Sequence, residues 1–167
     1  MLKLIKRASE IHFSDLSHIY EESLTESGRR SYSNLDAYGQ FREAEQDFYD
    51  YVQDFLTDPK CFLCLWKTDN QYVSCLRFEP YQDGVLITGL ETASPQRRRG
   101  YAKKLLQAVL KLPELQTVRV YSHIHRSNTA SAALHLACGF HLHAHYARLV
   151  DGTVTSQYDT YEKQVCD

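Results

Sequence analysis

The sequence predicts a mixed α/β domain whose central sheet is covered by helices on both faces. Two observations carry this: segments of helical and of strand periodicity alternate along the chain, and no repeat, low-complexity tract or Pro/Gly/Ser-rich linker divides it. A third is size. The 167 residues, 43% hydrophobic and 24% charged, suit one domain spanning 1–167 with a sizeable core.

Taken in order, Leu2 to Arg7 alternates like a short strand, and Ser14-Asp15 opens a helix carrying Leu16, Ile19, Tyr20 and Leu24. Ser27 to Ser31 reads as a polar break. A second helix follows over about Leu35 to Leu56, with Phe41, Phe48, Val52 and Phe55 on one stripe and Asp58-Pro59 as its stop. Cys61 to Lys67 and Tyr72 to Phe78 form a hairpin turned at Asp69-Asn70, and a turn at Asp83-Gly84 leads to a strand over Val85 to Ala93. A helix over about Gly100 to Lys111 ends before Pro113. Val118 to Ile124 is a strand, Asn128 to Cys138 a helix stopped by Gly139, Phe140 to Val150 a strand, and Thr153 to Glu162 the last strand after an Asp151-Gly152 turn. The expected order is βααβββαβαββ.

Charge and termini narrow the function classes. A net charge of -2 gives no general affinity for nucleic acid. No apolar run approaches the ~20 residues needed to span a bilayer, and the N-terminus lacks the apolar core and cleavage site of a secretory signal. The five cysteines, odd in number and irregularly spaced, suit a reducing compartment, so the expectation is a cytoplasmic protein without membrane or nucleic-acid partners.

The most informative segment runs from Glu91 to Leu106, where a strand ends, a polar turn follows and a helix begins near Gly100. The first N–H groups of a helix lack internal partners and sit at the positive end of its dipole, so a pyrophosphate docks there if no side chain intervenes. Glycine at 100 and alanine at 102 leave that space, while Arg97, Arg98 and Arg99 add forked donors. The segment lacks the Gly-Lys-Ser/Thr ending of a Walker loop and the GxGxxG of dinucleotide folds. A solvated basic turn is the bland alternative.

Arg97-Arg98-Arg99-Gly100-Tyr101-Ala102 resembles the R/Q-x-x-G-x-G/A signature of the GNAT acyltransferases, and Asn128 to Phe140 resembles that family's second block, N-x-x-A-x-x-L-Y-x-x-x-G-F, with serine at 131 and histidine at 135. The resemblance spans most of residues 85–140. It implies a mixed, mostly antiparallel sheet in which two parallel strands, here Val85–Ala93 and Val118–Ile124, splay to admit the pantetheine arm of acetyl-CoA. It further implies that backbone groups of Glu91, Thr92 and Ala93 hold that arm, and that the turn from Arg97 through Gly100, Tyr101 and Ala102 to Lys103 holds the pyrophosphate. Asn128 is placed at the cofactor as well, a role compatible with plain helix capping. By the same resemblance the activity is transfer of an acetyl group to a small-molecule or peptide amine, without metal, and a homodimer is compatible with the reading.

Such a transfer needs a deprotonated amine, a polarised carbonyl and a proton for the departing thiolate. Glu91 is the candidate base, and a salt-bridged surface glutamate is its alternative. His135 stands where the family carries a tyrosine acid. Neutral histidine can donate one N–H, and another residue or water is the alternative donor. Other constellations are weaker. Cys61 and Cys64 fall on opposite strand faces despite their zinc-like spacing, and His141, His143 and His145 share one face as a polar patch. By the same resemblance acceptor choice falls to about Glu21 to Tyr38 and Tyr146 to Gln157, where carboxylates and tyrosines leave polyamine, amino acid, aminoglycoside and protein N-terminus open.

Overall fold

A computed structural model describes residues 1–164. Its main sheet has seven strands: β1 (Leu2–Ile5), β2 (Phe62–Thr68), β3 (Gln71–Tyr81), β4 (Gly84–Thr92), β5 (Arg119–His125), β6 (His141–Ala144) and β9 (Tyr158–Lys163). Their spatial order is β1-β2-β3-β4-β5-β9-β6. Every pairing is antiparallel except β4 with β5, so the mixed, mostly antiparallel sheet is borne out. The last strand inserts between β5 and β6, a pairing that local patterning does not encode.

Strand alternation gives the sheet two apolar faces. On one, Ile5, Leu63, Leu65 and Cys75 pack against α1 (Phe13–Ile19), α2 (Glu21–Ser31) and α3 (Ala37–Phe55) through Leu16, Ile19, Leu24 and Val52. On the other, Cys64, Leu76, Ile87, Val120 and Ile124 meet Leu105, Leu106 and Val109 of α4 (Tyr101–Val109), with Phe140 closing the layer behind α5 (Thr129–Ala137). Cys61 and Cys64 thus belong to opposite layers, as strand periodicity requires. The β2–β3 turn is made by Asp69 and Asn70, both at positive φ, the geometry that suits the twist of a hairpin.

Boundaries differ from expectation in two regions of the chain. The polar break at 27–31 is helix: α2 runs to Ser31, and the chain instead bends at Tyr20, between α1 and α2. Gly28 is buried because α3 passes against it, and a Cβ there would lie 2.3 Å from the Gln40 carbonyl oxygen. The glycine is a contact point between helices, not a chain break. The expected long strands over 140–150 and 153–162 are also shorter. The Arg126 guanidinium donates to the carbonyl oxygen of His145, where the chain leaves the sheet, its backbone N–H donates to that of Gln157, just before β9, and 147–155 forms a separate small hairpin, β7 (Ala147–Arg148) with β8 (Val154–Thr155). Among the described residues no helix is long and apolar enough to cross a membrane.

The Gly28 contact gives a direct test. Gly28→Ala should destabilise the protein by about 1–3 kcal/mol, since α2 and α3 must separate to admit the methyl group. A denaturant titration followed by far-UV circular dichroism reads this as a lower midpoint at unchanged slope.

Candidate active site

The β4–β5 ladder is short. It pairs Gly84–Ile87 with Arg119–Ser122, yet β4 continues to Thr92 and β5 to His125. The cause sits in β4. Between Cys75 and Arg77 the β3–β4 register slips, so that Glu91 faces Cys75 while Thr88 faces Arg77. The extra residue is accommodated at Gly89, whose φ of +57 is open to glycine and strained for other residues. Tyr20 donates its hydroxyl proton to the Gly89 carbonyl oxygen at 2.6 Å, fixing the bulge from the α1–α2 corner. Past it the two strands part.

A cavity of about 590 Å³ opens from this gap towards the start of α4 and of α5. Leu90, Glu91 and Thr92 form one wall, and Arg98, Gly100, Tyr101, Ala102 and Lys103 form its mouth. Gly100 is the left-handed residue before α4, at φ +78, with nothing within 4 Å of a Cβ built on it. Lys104 N–H makes the first turn's bond to the Gly100 carbonyl oxygen, which leaves the N–H groups of Tyr101, Ala102 and Lys103 without helical partners. These donors, the open space and the adjacent arginines fit a pyrophosphate. On the far wall Asn128 accepts a hydrogen bond from Ser131 N–H at 3.0 Å, capping α5, and also lines the cavity.

Backbone direction sorts the strand residues. Ala93 is fully buried and its N–H is spent on the Val73 carbonyl oxygen, while the Glu91 carbonyl oxygen accepts from the Ser74 hydroxyl. Both therefore face β3. Thr92, and by alternation Leu90, turn their backbones to the gap. The sequence does not single out the backbone of Leu90 over those of Glu91 and Ala93, because only the bulge reveals which backbone groups are free. Arg99, unlike Arg98, does not line the cavity.

Arg97 also lines the cavity, with its guanidinium drawn to the carboxylates beneath α2. Its guanidinium donates to the Thr92 carbonyl oxygen at 3.1 Å, forms an ion pair with Glu22, and lies 3.7 Å from Glu91. Glu91 also accepts from the Ser23 hydroxyl at 2.9 Å. Burial pushes the Glu91 carboxyl above its ordinary pKa, against the pull of Ser23 and of Arg97. It is thus a partly buried carboxylate at the cavity edge on the α1–α2 side, raised towards the working range of a general base.

His135 is placed apart from these side chains. It is 1% exposed, packed edge-on against Phe140, and α5 sends Ser131 and Leu134 to the cavity instead. Its Nδ1 lies 2.8 Å from the Ser131 carbonyl oxygen, which can only accept, so Nδ1 carries the proton. Nε2 is buried without a partner among the described residues, and burial lowers the pKa of the ring. Tyr121, another tyrosine near the splay, is tied to Asp83 at the opposite end of β4.

The sequence matches the profile of the Acetyltransferase (GNAT) family over residues 16–140. The chain belongs to the GNAT acetyltransferase family. Solved structures agree in fold. An aminoglycoside 6'-acetyltransferase type Ii superposes with a TM-score of 0.69 at 11% identity, covering 100% of this chain and 98% of its own. The PaiA N-acetyltransferase of Thermoplasma acidophilum, solved with coenzyme A, gives 0.64 at 12%, covering 98% and 99%. The ribosomal-protein-S18-alanine N-acetyltransferase of Escherichia coli gives 0.62 at 14%, covering 99% and 94%. No curated protein sequence matched the chain.

The open space at Gly100 makes the mouth testable. Gly100→Asp sets a negative charge among the free N–H groups, and coenzyme A affinity measured by calorimetry should fall at least tenfold, about 1.4 kcal/mol, with the far-UV spectrum unchanged. Unaltered affinity in the folded variant would reduce the turn to a basic surface loop.

Proposed function

We propose that this GNAT protein is an acetyl-CoA-dependent N-acetyltransferase in which the acceptor amine attacks the thioester directly. The observation that carries the reading is the splayed β4–β5 gap, which joins an open phosphate-binding helix start to a carboxylate, Glu91, with a raised pKa. The pyrophosphate is assigned to the N–H groups of Tyr101, Ala102 and Lys103 with Arg98 beside them, and the pantetheine arm to backbone groups of Leu90 and the N–H of Thr92, whose carbonyl oxygen is taken by Arg97. Arg99 contributes positive field at the mouth, Arg97 is spent on Glu22, Glu91 and the Thr92 carbonyl oxygen and so fixes the strand wall, and Asn128 holds the start of α5 against the cofactor.

In this scheme the amine nitrogen bonds to the thioester carbon, Glu91 accepts a proton from that nitrogen directly or through water, and the carbon–sulfur bond breaks. The departing thiolate then takes a proton. His135 suits that last step poorly, because its single proton is committed to the Ser131 carbonyl oxygen and burial disfavours the imidazolium that could spare a second. Its assigned role is to lock the last turn of α5 against Phe140, and the thiolate's proton comes from water in the cavity.

Thiol release from acetyl-CoA across an amine panel, with mass spectrometry of the products, tests the activity itself. Tight coenzyme A binding with no turnover of any amine would sink the catalytic reading and favour a non-catalytic acyl-CoA-binding protein.

Glu91 supplies a pH test. The base acts as the carboxylate, so kcat/KM should rise with pH through a value raised by burial above that of an ordinary glutamate before levelling. Glu91→Gln should lower kcat by roughly 10²-fold or more and erase that limb. An unchanged profile in the variant would assign the base elsewhere.

His135 is tested by shape rather than by rate. His135→Ala should cost about 2–4 kcal/mol of stability through the cavity it leaves. The pH dependence of kcat should keep the parent's form. A titration that vanishes with the histidine would restore it as the proton donor.

A further inference from the structure

On the α1–α3 face of the sheet, beside the bulge, Arg77 has no carboxylate among the described residues within ion-pair distance. Its guanidinium sits against the rings of Tyr51 and Tyr20, 5.1 and 6.0 Å from their centroids, and its one side-chain hydrogen bond is a long one, 3.4 Å, from Nε to Thr88 Oγ1. Glu79, two residues along the same strand face, acts on it only at longer range. A half-buried guanidinium without an anion has given up hydration and regained little of it. The two rings hold the fork in place, leaving the guanidinium N–H groups other than Nε without a hydrogen-bond partner among the described residues.

The fork lies where an acceptor would sit. A Cβ at Gly89 would be 2.7 Å from the guanidinium carbon, and Glu91 is two residues further along β4, so at most about 7 Å of strand separates the two levels. Thr88, Gly89 and Glu91 are all partly open to solvent, in the middle of a sheet where neighbouring Leu86 and Ile87 are closed. His123 follows Ser122, the last β5 residue paired with β4, and its ring packs edge-on to Tyr81 of this same face. Its Nε2 is buried with no partner among the described residues.

We infer that the acceptor is an amine carrying a carboxylate a few bonds from its nitrogen, of the amino-acid class, with the carboxylate in the fork of Arg77 and the amine at Glu91. His123 Nε2, when it holds the ring proton, donates to the carboxylate from the β5 side. The inference rests on the N-acetyltransferase reading and narrows it. Polyamines and other purely cationic acceptors bring nothing for Arg77 to bind, and they leave its charge uncompensated.

The test compares matched acceptors: α-, β- and γ-amino acids against their own carboxamides, by kcat/KM with saturating acetyl-CoA. The acids should be preferred at least tenfold. Arg77→Gln should bring the ratio near one, chiefly through KM for the acid, and His123→Ala should reduce it by a smaller factor. Far-UV spectra and melting curves check that both variants fold, and if Arg77→Gln does not, the parent's ratio and His123→Ala still decide. Carboxamides or diamines used as well as the acids would overturn the inference while leaving the N-acetyltransferase reading intact. If no amine is turned over, that reading fails first. The melting shift of the coenzyme A-saturated protein with N-acetyl amino acids against their amides then decides the fork: a shift with the acids alone supports it, and equal or absent shifts overturn it.

Discussion

Parallel pairing between β4 and β5 stops after Ile87 and Ser122, and most of what the molecule offers chemically follows from that interruption. Each freed backbone group would be satisfied by a neighbouring strand in an unbroken sheet. Here the bulge at Gly89 tilts β4 away, and the Tyr20 hydroxyl pins the tilted carbonyl from the bend between α1 and α2. The same parting of strands that creates the cavity also points the start of α4 and the cap of α5 into it, because each of those helices follows one of the two strands. A left-handed glycine before α4 keeps the entrance clear of side chains.

Electrostatics on the two sides of the gap differ. The mouth is positive from Arg98, Lys103 and the first turn of α4, whereas the edge beneath α2 holds Glu91 and Glu22 bridged by Arg97. Arg97 thereby belongs to both sides: its chain position is in the turn before α4, and its guanidinium neutralises the carboxylates beneath α2. It also fixes the Thr92 carbonyl oxygen, so the strand wall and the carboxylate are held by one side chain. Ser23 completes the arrangement from α2, which explains why the bend at Tyr20, rather than a break at Ser27, matters to the site.

What the sequence disclosed follows from the range of the interactions involved. The turn from Arg97 to Lys103, the Asn128 cap and the Asp69-Asn70 hairpin are local devices, each specified within a few residues, and each stands where the pattern placed it. Gly28 was misleading because a glycine amid polar residues reads as a break, and only the approach of Gln40 from another helix gives its reason. The insertion of β9 between β5 and β6 is long-range pairing with no local signature. His135 shows the same limit in the site. Its position in the second block is plain in the sequence, but its burial against Phe140 and its bond to the Ser131 carbonyl oxygen are products of packing. The exposed backbone of Leu90 is likewise invisible until the register slip in β4 is known.

The central claim, that the open edges of the splayed strands receive coenzyme A, is tested most directly by amide hydrogen exchange with and without that ligand. The account predicts slowed exchange at Leu90 and Thr92 and at Tyr101 to Lys103, with Ala93, already bonded to Val73, changed least. Protection confined to other surfaces, or none in the presence of saturating coenzyme A, would contradict it.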